Sequence, residues 1–380
     1  MAIYGNRDTA SLVGLPDGWD GAKLEANRLE NGMTFGSVVS LLNSGLAAVN
    51  NELYNDPLWS GMVSYQEELE VEYSQGESNA MNVYTEYGRP DPQRASLQGH
   101  MLPLLAYDRS LEWTWDYLRK ARVSQVVADI NSGLANLRTQ WRKSLLTRAL
   151  LRTDDSGASK GLGTSGYSPG FATAAGSTSV DFVPPGFAGN TFTSAHEHYV
   201  GITGGVWTVD VFADIKAELR EHGHEPPYVV LIASEDEATV SALAGFTKVD
   251  NLLMKYGDDT DRTTLPPAAV GSSSAGGYFI GTISDCAVRV VYGMPQYYGF
   301  AFKSYGSNSP MNPLRIRVGK GAPLRPWFRA FPDPRSNGGA NYPLQNLMFF
   351  GEFGVGVGTD RTAATARYNN SGTWADGVPS

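Results

Sequence analysis

Four of the five histidines in this 380-residue chain stand in two pairs, His196-Glu197-His198 and His222-Gly223-His224. Alternate residues of a strand share a face, so an H-x-H pair can offer two imidazole nitrogens to one metal ion. Each pair also has a plain structural reading. His222 would end a helix, where a partial positive charge suits the dipole; Gly223 can take the left-handed cap and Pro226 stops continuation. His196 and His198, beside Tyr199, would sit at a loop-to-strand junction and hydrogen-bond locally. No HExxH and no CxxC accompanies them, and no metal is assigned. Gly161-Leu-Gly163-Thr-Ser-Gly166 matches G-x-G-x-x-G, but a phosphate cradle needs a strand before it and a helix N-terminus after it. Here a helical pattern precedes and SPGFATAAG follows, so no nucleotide site is assigned. The single cysteine, Cys286, lies between apolar strand patterns and reads as a small buried residue, since a nucleophile wants a positive, partly exposed setting. No catalytic residue, cofactor or metal is therefore assigned, and the chain is read as no enzyme.

The composition narrows the field further. An apolar share of 42 % with 18 % charged residues excludes a disordered chain. The 43 Gly and 21 Pro exceed the usual combined rate of about 12 % and call for many turns and extended segments. One cysteine permits no internal disulfide and fits a reducing cytoplasm. The start, MAIYGNRDTASLVG, has no apolar signal-peptide core, and no run reaches the roughly 20 apolar residues of a membrane span. A net charge of −9 is the wrong sign for wrapping nucleic acid through its phosphates.

The elements that must position these residues follow in order. Residues 1–62 read as an arm with one helix, Thr34 to Tyr54, whose Phe35, Val38, Val39, Leu42, Leu46 and Val49 form a stripe. Tyr65, Glu67, Leu69, Val71 and Tyr73 then alternate with Gln66, Glu68, Glu70 and Glu72. SQGESNA makes a turn, and Met81, Val83, Thr85 and Tyr87 alternate on the return, which predicts a long hairpin. Between Ser64 and Gly88 there are six glutamates and no Lys or Arg. Leu111 to Arg152 has helical character almost throughout. Its apolar face is Val123, Val126, Val127, Ile130, Leu134, Leu137, Trp141, Leu145 and Ala149, with a kink expected at Ser132-Gly133. An unbroken helix from Ala121 would run roughly 48 Å. Basic residues crowd it, among them Arg138, Arg142, Lys143 and Arg148. Thr153 to Thr193 is a long Gly/Ser/Thr/Pro stretch of the kind that is functional or disordered.

Beyond it the pattern turns α/β. A helix is expected over Val209 to Glu221, a strand over Tyr228 to Ala233, and a helix over Glu235 to Ala244 capped by Ser234. Strands follow at Gly277 to Ile283, Ala287 to Tyr292 and Tyr297 to Ser304. An extended basic stretch then carries Arg315 and Arg317, and the last strands lie near Leu347 to Val357 and Thr362 to Tyr368. Gly354, Gly356 and Gly358 on one strand face suit the close approach of another backbone.

This order resembles that of the major capsid proteins of tailed bacteriophages, the HK97-like fold, over nearly the whole chain. The segment Leu102-Pro-Leu-Leu-Ala-Tyr-Asp-Arg-Ser-Leu-Glu-Trp-Thr-Trp looks like the family's passage into its spine helix. FFGEFGVGVGTDRTAATARYNNSG looks like its closing strands. The resemblance implies an α+β fold with an N-terminal arm (1–62) and an E-loop β-hairpin (63–98). It further implies a peripheral domain (99–198 and 341–380, spine helix 111–152) and an axial α/β domain (199–340). It also implies a structural protein that self-assembles into hexamers and pentamers of an icosahedral head. That head would enclose double-stranded DNA without sequence-specific binding, in a virion assembled in the host bacterial cytoplasm, away from membranes. Scaffold, portal and decoration proteins are the implied partners. The presumed E-loop has no lysine between Ser64 and Gly88, so the covalent Lys–Asn crosslink of some members is not carried over.

On this reading the acidic hairpin (Tyr65, Glu67, Glu68, Leu69, Glu70, Val71, Glu72, Tyr73) of one subunit lies on a basic surface of the next. That surface is drawn from Arg138, Arg142, Lys143 and Arg148, or from Arg315 and Arg317. Two alternatives stay open: an encapsulin-type compartment shell, and, in a different class, a metal-dependent enzyme using His196, His198, His222 and His224.

Overall fold

The computed structural model describes residues 35–75, 96–152, 198–248, 276–331, 344–359 and 361–379, with 187, 189, 190, 192, 196, 340 and 341. Residues 1–34, the return strand expected at 81–87, the 161–166 glycine motif and Glu197 lie outside them. In chain order come α1 (Phe35–Asn55), α2 (Pro57–Ser60), β1 (Val63–Gln66), β2 (Glu70–Gln75), β3 (Ser96–Met101) and β4 (Leu105–Thr114). Then follow α3 (Trp115–Lys120), α4 (Val123–Leu150), β5 (Tyr199–Gly201), α5 (Val209–Glu221), β6 (Tyr228–Ile232), α6 (Glu237–Ser241) and β7 (Thr247–Lys248). The rest are strands: β8 (Gly277–Ile283), β9 (Cys286–Val291), β10 (Tyr298–Lys303), β11 (Leu314–Val318), β12 (Phe328–Phe331), β13 (Ala340–Asn341), β14 (Leu344–Val357) and β15 (Ala364–Tyr368). No described helix is long and apolar enough to cross a membrane. The chain divides into two units: residues 1–55, 104–142 and 318–353, and residues 56–103, 143–317 and 354–380.

In the first unit the long ladder is β14 against β4, antiparallel from Leu344↔Thr114 to Phe353↔Leu105, with β12 antiparallel to β14. The apolar stripe of α1 is buried as its spacing requires, Val38, Val39, Leu42, Leu46, Val49 and Leu53 all being at most 4 % exposed. Asn50 ties the helix to β12 like a strand neighbour, donating to the Phe328 carbonyl and accepting from its N–H, both at 2.9 Å. Trp141 on α4 packs against the rings of Phe328 and Phe353.

The helix expected from Leu111 is shorter than its composition suggested. Leu111 to Thr114 belong to β4, because Leu111 and Trp113 obey a period of two as well as they fit a helix. Thr114 then caps α3, its hydroxyl accepting from the Tyr117 N–H, and Ala121 breaks the chain into extended backbone. The second helix restarts with Arg122, whose N–H donates to Gln125 Oε1, the reciprocal half of a capping box. It runs 28 residues, about 42 Å.

Helix α4 continues unbroken through Ser132-Gly133. Glycine stands there because a Cβ would come within 2.4 Å of the Phe349 ring, which is fully buried. Gly133→Ala sets a helix-propensity gain of about 1 kcal/mol against overpacking of about 1–3 kcal/mol. Phe349 has no solvent-side space to yield into, so net destabilisation is expected; denaturant titration showing a more stable variant would refute the packing argument.

The second unit is built on a seven-stranded mixed sheet of order β5-β15-β10-β6-β9-β8-β7. The β6–β9 and β5–β15 pairs are parallel and the others antiparallel. Helix α5 covers it, burying Val211, Phe212, Ile215 and Leu219 against Tyr228, Val230, Ile232, Val288 and Val290. The closing strand β15 is an inner strand of this sheet, between β5 and β10. The helix expected from Glu235 is a 3-10 turn (Ser234–Asp236) followed by five helical residues, and Ser234 does not cap it; its hydroxyl bonds the Glu235 side chain. A Cβ on Gly358, the residue after β14, would lie 2.6 Å from the Asn312 carbonyl, a close backbone approach at one of the three glycines of the row.

Cys286 is fully buried on β9, and burial pushes its thiol up to about 12. At neutral pH it is expected to resist a thiol reagent in the native protein and to react fully in denaturant. Rapid native labelling would contradict its placement.

Candidate functional site

The acidic ribbon differs in register from the expected hairpin. Its first half, β1, does not continue into the ribbon but pairs in parallel with β11, Val63↔Leu314 to Gln66↔Arg317. After a bend at Glu67-Glu68-Leu69, β2 pairs antiparallel with β3, Glu70↔Met101 to Gln75↔Ser96, and these two strands form a sheet of their own. The return strand is thus Ser96–Met101. Its sequence, SLQGHM, has no β-branched or aromatic residue to announce it. Among the ribbon residues, Glu68 and Glu70 are exposed, Tyr65, Glu67 and Leu69 are half-buried, and Val71 is 2 % exposed within its own chain. Glu72 and Tyr73 lie on β2.

The basic residues are distributed unevenly. Lys143 is exposed and Arg142 half-buried. Arg138 makes a two-pronged bond to Glu52 of the same unit, with its Nη2 at 2.6 Å from Oε2. Arg148, expected at the surface, is 3 % exposed and donates to the Leu151 carbonyl. Arg315 and Arg317 serve their own chain. Arg315 reaches Ser64 Oγ, Gln66 Oε1, the Pro310 carbonyl and Thr359 Oγ1. Arg317 donates to the carbonyls of Glu67 and Leu102. They anchor the root of the ribbon, and the reason is geometric: the β1–β11 register puts them opposite Ser64 and Gln66.

The histidines converge in a way the pairs alone did not disclose. Helix α5 ends with His222 as C-cap, and Gly223 follows at φ +87. The Gly223 N–H donates to the Arg220 carbonyl and the His224 N–H to that of Leu219, the two bonds of a Schellman motif. That turn delivers His222 Nε2 to 2.9 Å from both His196 Nε2 and His198 Nε2. Glu221 Oε1 lies 3.2 Å from His196 Nε2 and 3.7 Å from His222 Nε2. His198 Nδ1 donates to the Ala364 carbonyl at 2.7 Å. The Phe192 ring covers His196 and His222 at centroid distances of 4.7 and 4.3 Å. Burial, reinforced by the neighbouring imidazoles, lowers His198 to about 3 and His222 to about 2. Burial thus disfavours the cationic form that would suit the helix dipole at His222. His224 turns elsewhere, bonding Tyr305 Oη at 2.6 Å and Thr362 Oγ1 at 2.9 Å. Three of the four histidines named in the sequence therefore form one cluster, and the third is supplied from across a helix.

No family model and no curated protein sequence matches the chain. Its fold does match solved structures. A chain from Mycobacterium phage Patience, 18 % identical, superposes over 91 % of both chains with a TM-score of 0.61. A chain from the cyanophage A-1(L) capsid asymmetric unit, 13 % identical, covers 83 % of this chain and 93 % of that one at a TM-score of 0.50. The mixed α and β architecture is that of the HK97-type fold.

Proposed function

We propose that the chain is a shell-forming capsid protein of the HK97 type, a structural component without catalytic turnover. In this reading 1–62 is the arm, 63–98 the E-loop, α4 the spine helix, and the sheet around β6 and β10 the axial part. Copies assemble into hexamers and pentamers of an icosahedral head enclosing double-stranded DNA, formed in the host cytoplasm with scaffold, portal or decoration proteins. The observation that carries the proposal is the two-stranded β2–β3 ribbon. Among the described residues β2 and β3 pair only with each other, and two strands alone are marginally stable in water, so a further surface over their exposed face supports this reading. The fold's likeness to a cyanophage capsid chain over most of its length supports the same reading.

A second copy suits the ribbon's chemistry. Glu68 and Glu70 are exposed on it, while Lys143 and Arg142 are offered on α4. Exposed ion pairs contribute only about 0–1 kcal/mol each, so charge sets register and encounter while apolar contact supplies affinity. Head-to-tail contacts of this kind generate rings and then shells. A net charge of −9 keeps enclosed DNA from adhering to the wall.

The test is assembly followed by electron microscopy. The unmodified chain, with its scaffold if one is needed, is expected to give closed particles. The quadruple variant Glu67→Lys, Glu68→Lys, Glu70→Lys, Glu72→Lys is expected to give subunits or open sheets. Closed particles from the variant, at unchanged yield and salt sensitivity, would sink the electrostatic part. Absence of any particle from the unmodified chain would sink the whole.

A further inference from the structure

We infer that His196, His198 and His222, with Glu221 as the fourth donor, form a binding site for a divalent transition metal of the zinc class. The site would pin the segment before β5 to the C-terminal end of α5. Nothing in this proposal depends on the shell-forming role.

Proton bookkeeping carries the argument. The Ala364 carbonyl can only accept, so His198 Nδ1 bears the hydrogen and Nε2 bears a lone pair. His222 Nε2 lies 2.9 Å from that nitrogen and stands at the same distance from His196 Nε2. A ring nitrogen holds one hydrogen or one lone pair in its plane. If His222 Nε2 carries the hydrogen, one proton must serve two acceptors in different directions; if it carries a lone pair, it faces that of His198. Neither arrangement gives two linear hydrogen bonds. A cation at the point of convergence gives every lone pair a partner, and binding releases the proton that the cluster otherwise shares.

The donor set selects the ion. Imidazole nitrogens suit zinc, copper, nickel and iron, whereas calcium and magnesium want a shell of oxygens. The three nitrogens lie within 4.8 Å of one another; tetrahedral ligands at metal–nitrogen distances of about 2.0–2.1 Å stand about 3.3–3.4 Å apart, so the two close pairs open slightly and the third closes, with small ring movements. Glu221 Oε1, at 3.2 and 3.7 Å from two of the rings, completes a tetrahedral count. Outer partners are in place as metal centres require: the Ala364 carbonyl orients His198, and Glu218 Oε1 lies 3.8 Å from His198 Nδ1.

The setting is structural rather than catalytic. The His198 and His222 side chains are 2 % exposed and Phe192 lies over the rings, so a substrate would have little of the ion to reach. The ligands come from two places more than 20 residues apart in the chain. Closing that loop from within restrains the unfolded chain, as a crosslink does.

The experiment uses the full chain, stripped with a chelator and titrated with Co(II) and then Zn(II). One metal per chain is expected, with the visible bands of four-coordinate cobalt and a melting temperature raised by about 5 °C in excess zinc. His196→Gln, at the most exposed of the three rings, is expected to weaken binding by about 100-fold, and Glu221→Gln by about tenfold. His224→Gln should leave affinity unchanged, since that ring faces Tyr305 and Thr362. X-ray absorption on the zinc-loaded unmodified chain reads the site without any variant and should show a first shell of imidazole nitrogen with one oxygen. Binding that is equal in the unmodified chain and His196→Gln, or a first shell of water oxygen alone, would overturn the assignment.

Discussion

Glu218→Ala is expected to destabilise the protein by about 3–5 kcal/mol, a large share of a native stability of about 5–15 kcal/mol. Glu218 stands in the last turn of α5, where a carboxylate opposes the helix dipole, so its presence there needs another cause. The cause is Arg367 on β15. Its guanidinium is 2 % exposed and donates through Nη2 to Glu218 Oε2, while Nη1 reaches Thr365 Oγ1 and the Ala366 carbonyl. Thr365 Oγ1 in turn donates to Glu218 Oε1 at 3.0 Å. Removing the carboxylate leaves a buried cation with two neutral acceptors and no counter-charge. Removing both charges should cost much less: Glu218→Met with Arg367→Met is expected to be more stable than Glu218→Ala alone, since a buried pair breaks about even against apolar residues of similar size. Urea titration of the three proteins decides it. A double variant no more stable than Glu218→Ala would show that the ion pair is not what holds α5 on β15.

The parts of the fold legible in the sequence are those with a long, clean period. Helices at 35–55 and 209–221, the C-terminal end of the long helix at 150, and the strands around 228–232, 277–283, 286–291 and 298–303 fall within a few residues of their expected bounds. Each has a stripe or run that only one element type can bury. Short windows fail for the converse reason. Leu111 and Trp113 satisfy a period of two and of three to four alike, and the choice is made by pairing with Leu347 and Gln345 on a strand more than 200 residues away. The partner of β2 was illegible because SLQGHM carries no strand signal and gains its conformation from the ladder itself.

Charge was legible as composition and illegible as placement. Counting basic residues marks two stretches as surfaces for a neighbour, one with Arg138, Arg142, Lys143 and Arg148 and one with Arg315 and Arg317. Yet Arg148 is buried, and Arg315 and Arg317 are spent on carbonyls and side chains of their own chain. A guanidinium with five donors organises loops whose carbonyls lack a strand partner, and the sequence does not say which arginine has such carbonyls in reach. The histidine cluster divides the same way. The H-x-H pair is visible as spacing, but its third member depends on where a Schellman turn aims His222, which is a tertiary fact.

The largest single loss is expected from Asn312→Asp, a change of one atom type. Asn312 is fully buried, and all of its amide is used. The two hydrogens of its Nδ2 are shared among the carbonyls of Ser60 (3.2 Å), Val63 (3.0 Å) and Gly306 (2.9 Å), and its Oδ1 accepts from the Tyr305 N–H at 3.0 Å. These bonds hold the start of β1, and so the root of the ribbon, against the 304–312 loop. An ionised aspartate keeps the acceptor and replaces the donor by a second anionic oxygen, aimed at three carbonyl oxygens with no water to separate them. The cost is expected to exceed about 4 kcal/mol at pH 8, against about 2–3 kcal/mol for Asn312→Ala, which removes the bonds without burying a charge. The pH dependence separates the two. In the folded variant the new carboxyl is forced neutral, so its pKa is raised above the unfolded value of about 3.9. The penalty is then fully present above the folded pKa and shrinks as pH falls toward the unfolded one, because protonation restores one donor. Asn312→Asp should therefore gain on Asn312→Ala between pH 8 and pH 5. Hydrogen exchange should show the amides of 62–66 opening first in both. A difference between the variants that is flat with pH, or exchange at 62–66 as slow as in the unmodified chain, would mean that the ribbon's root is held by β11 alone and that Asn312 is only a passenger in the loop.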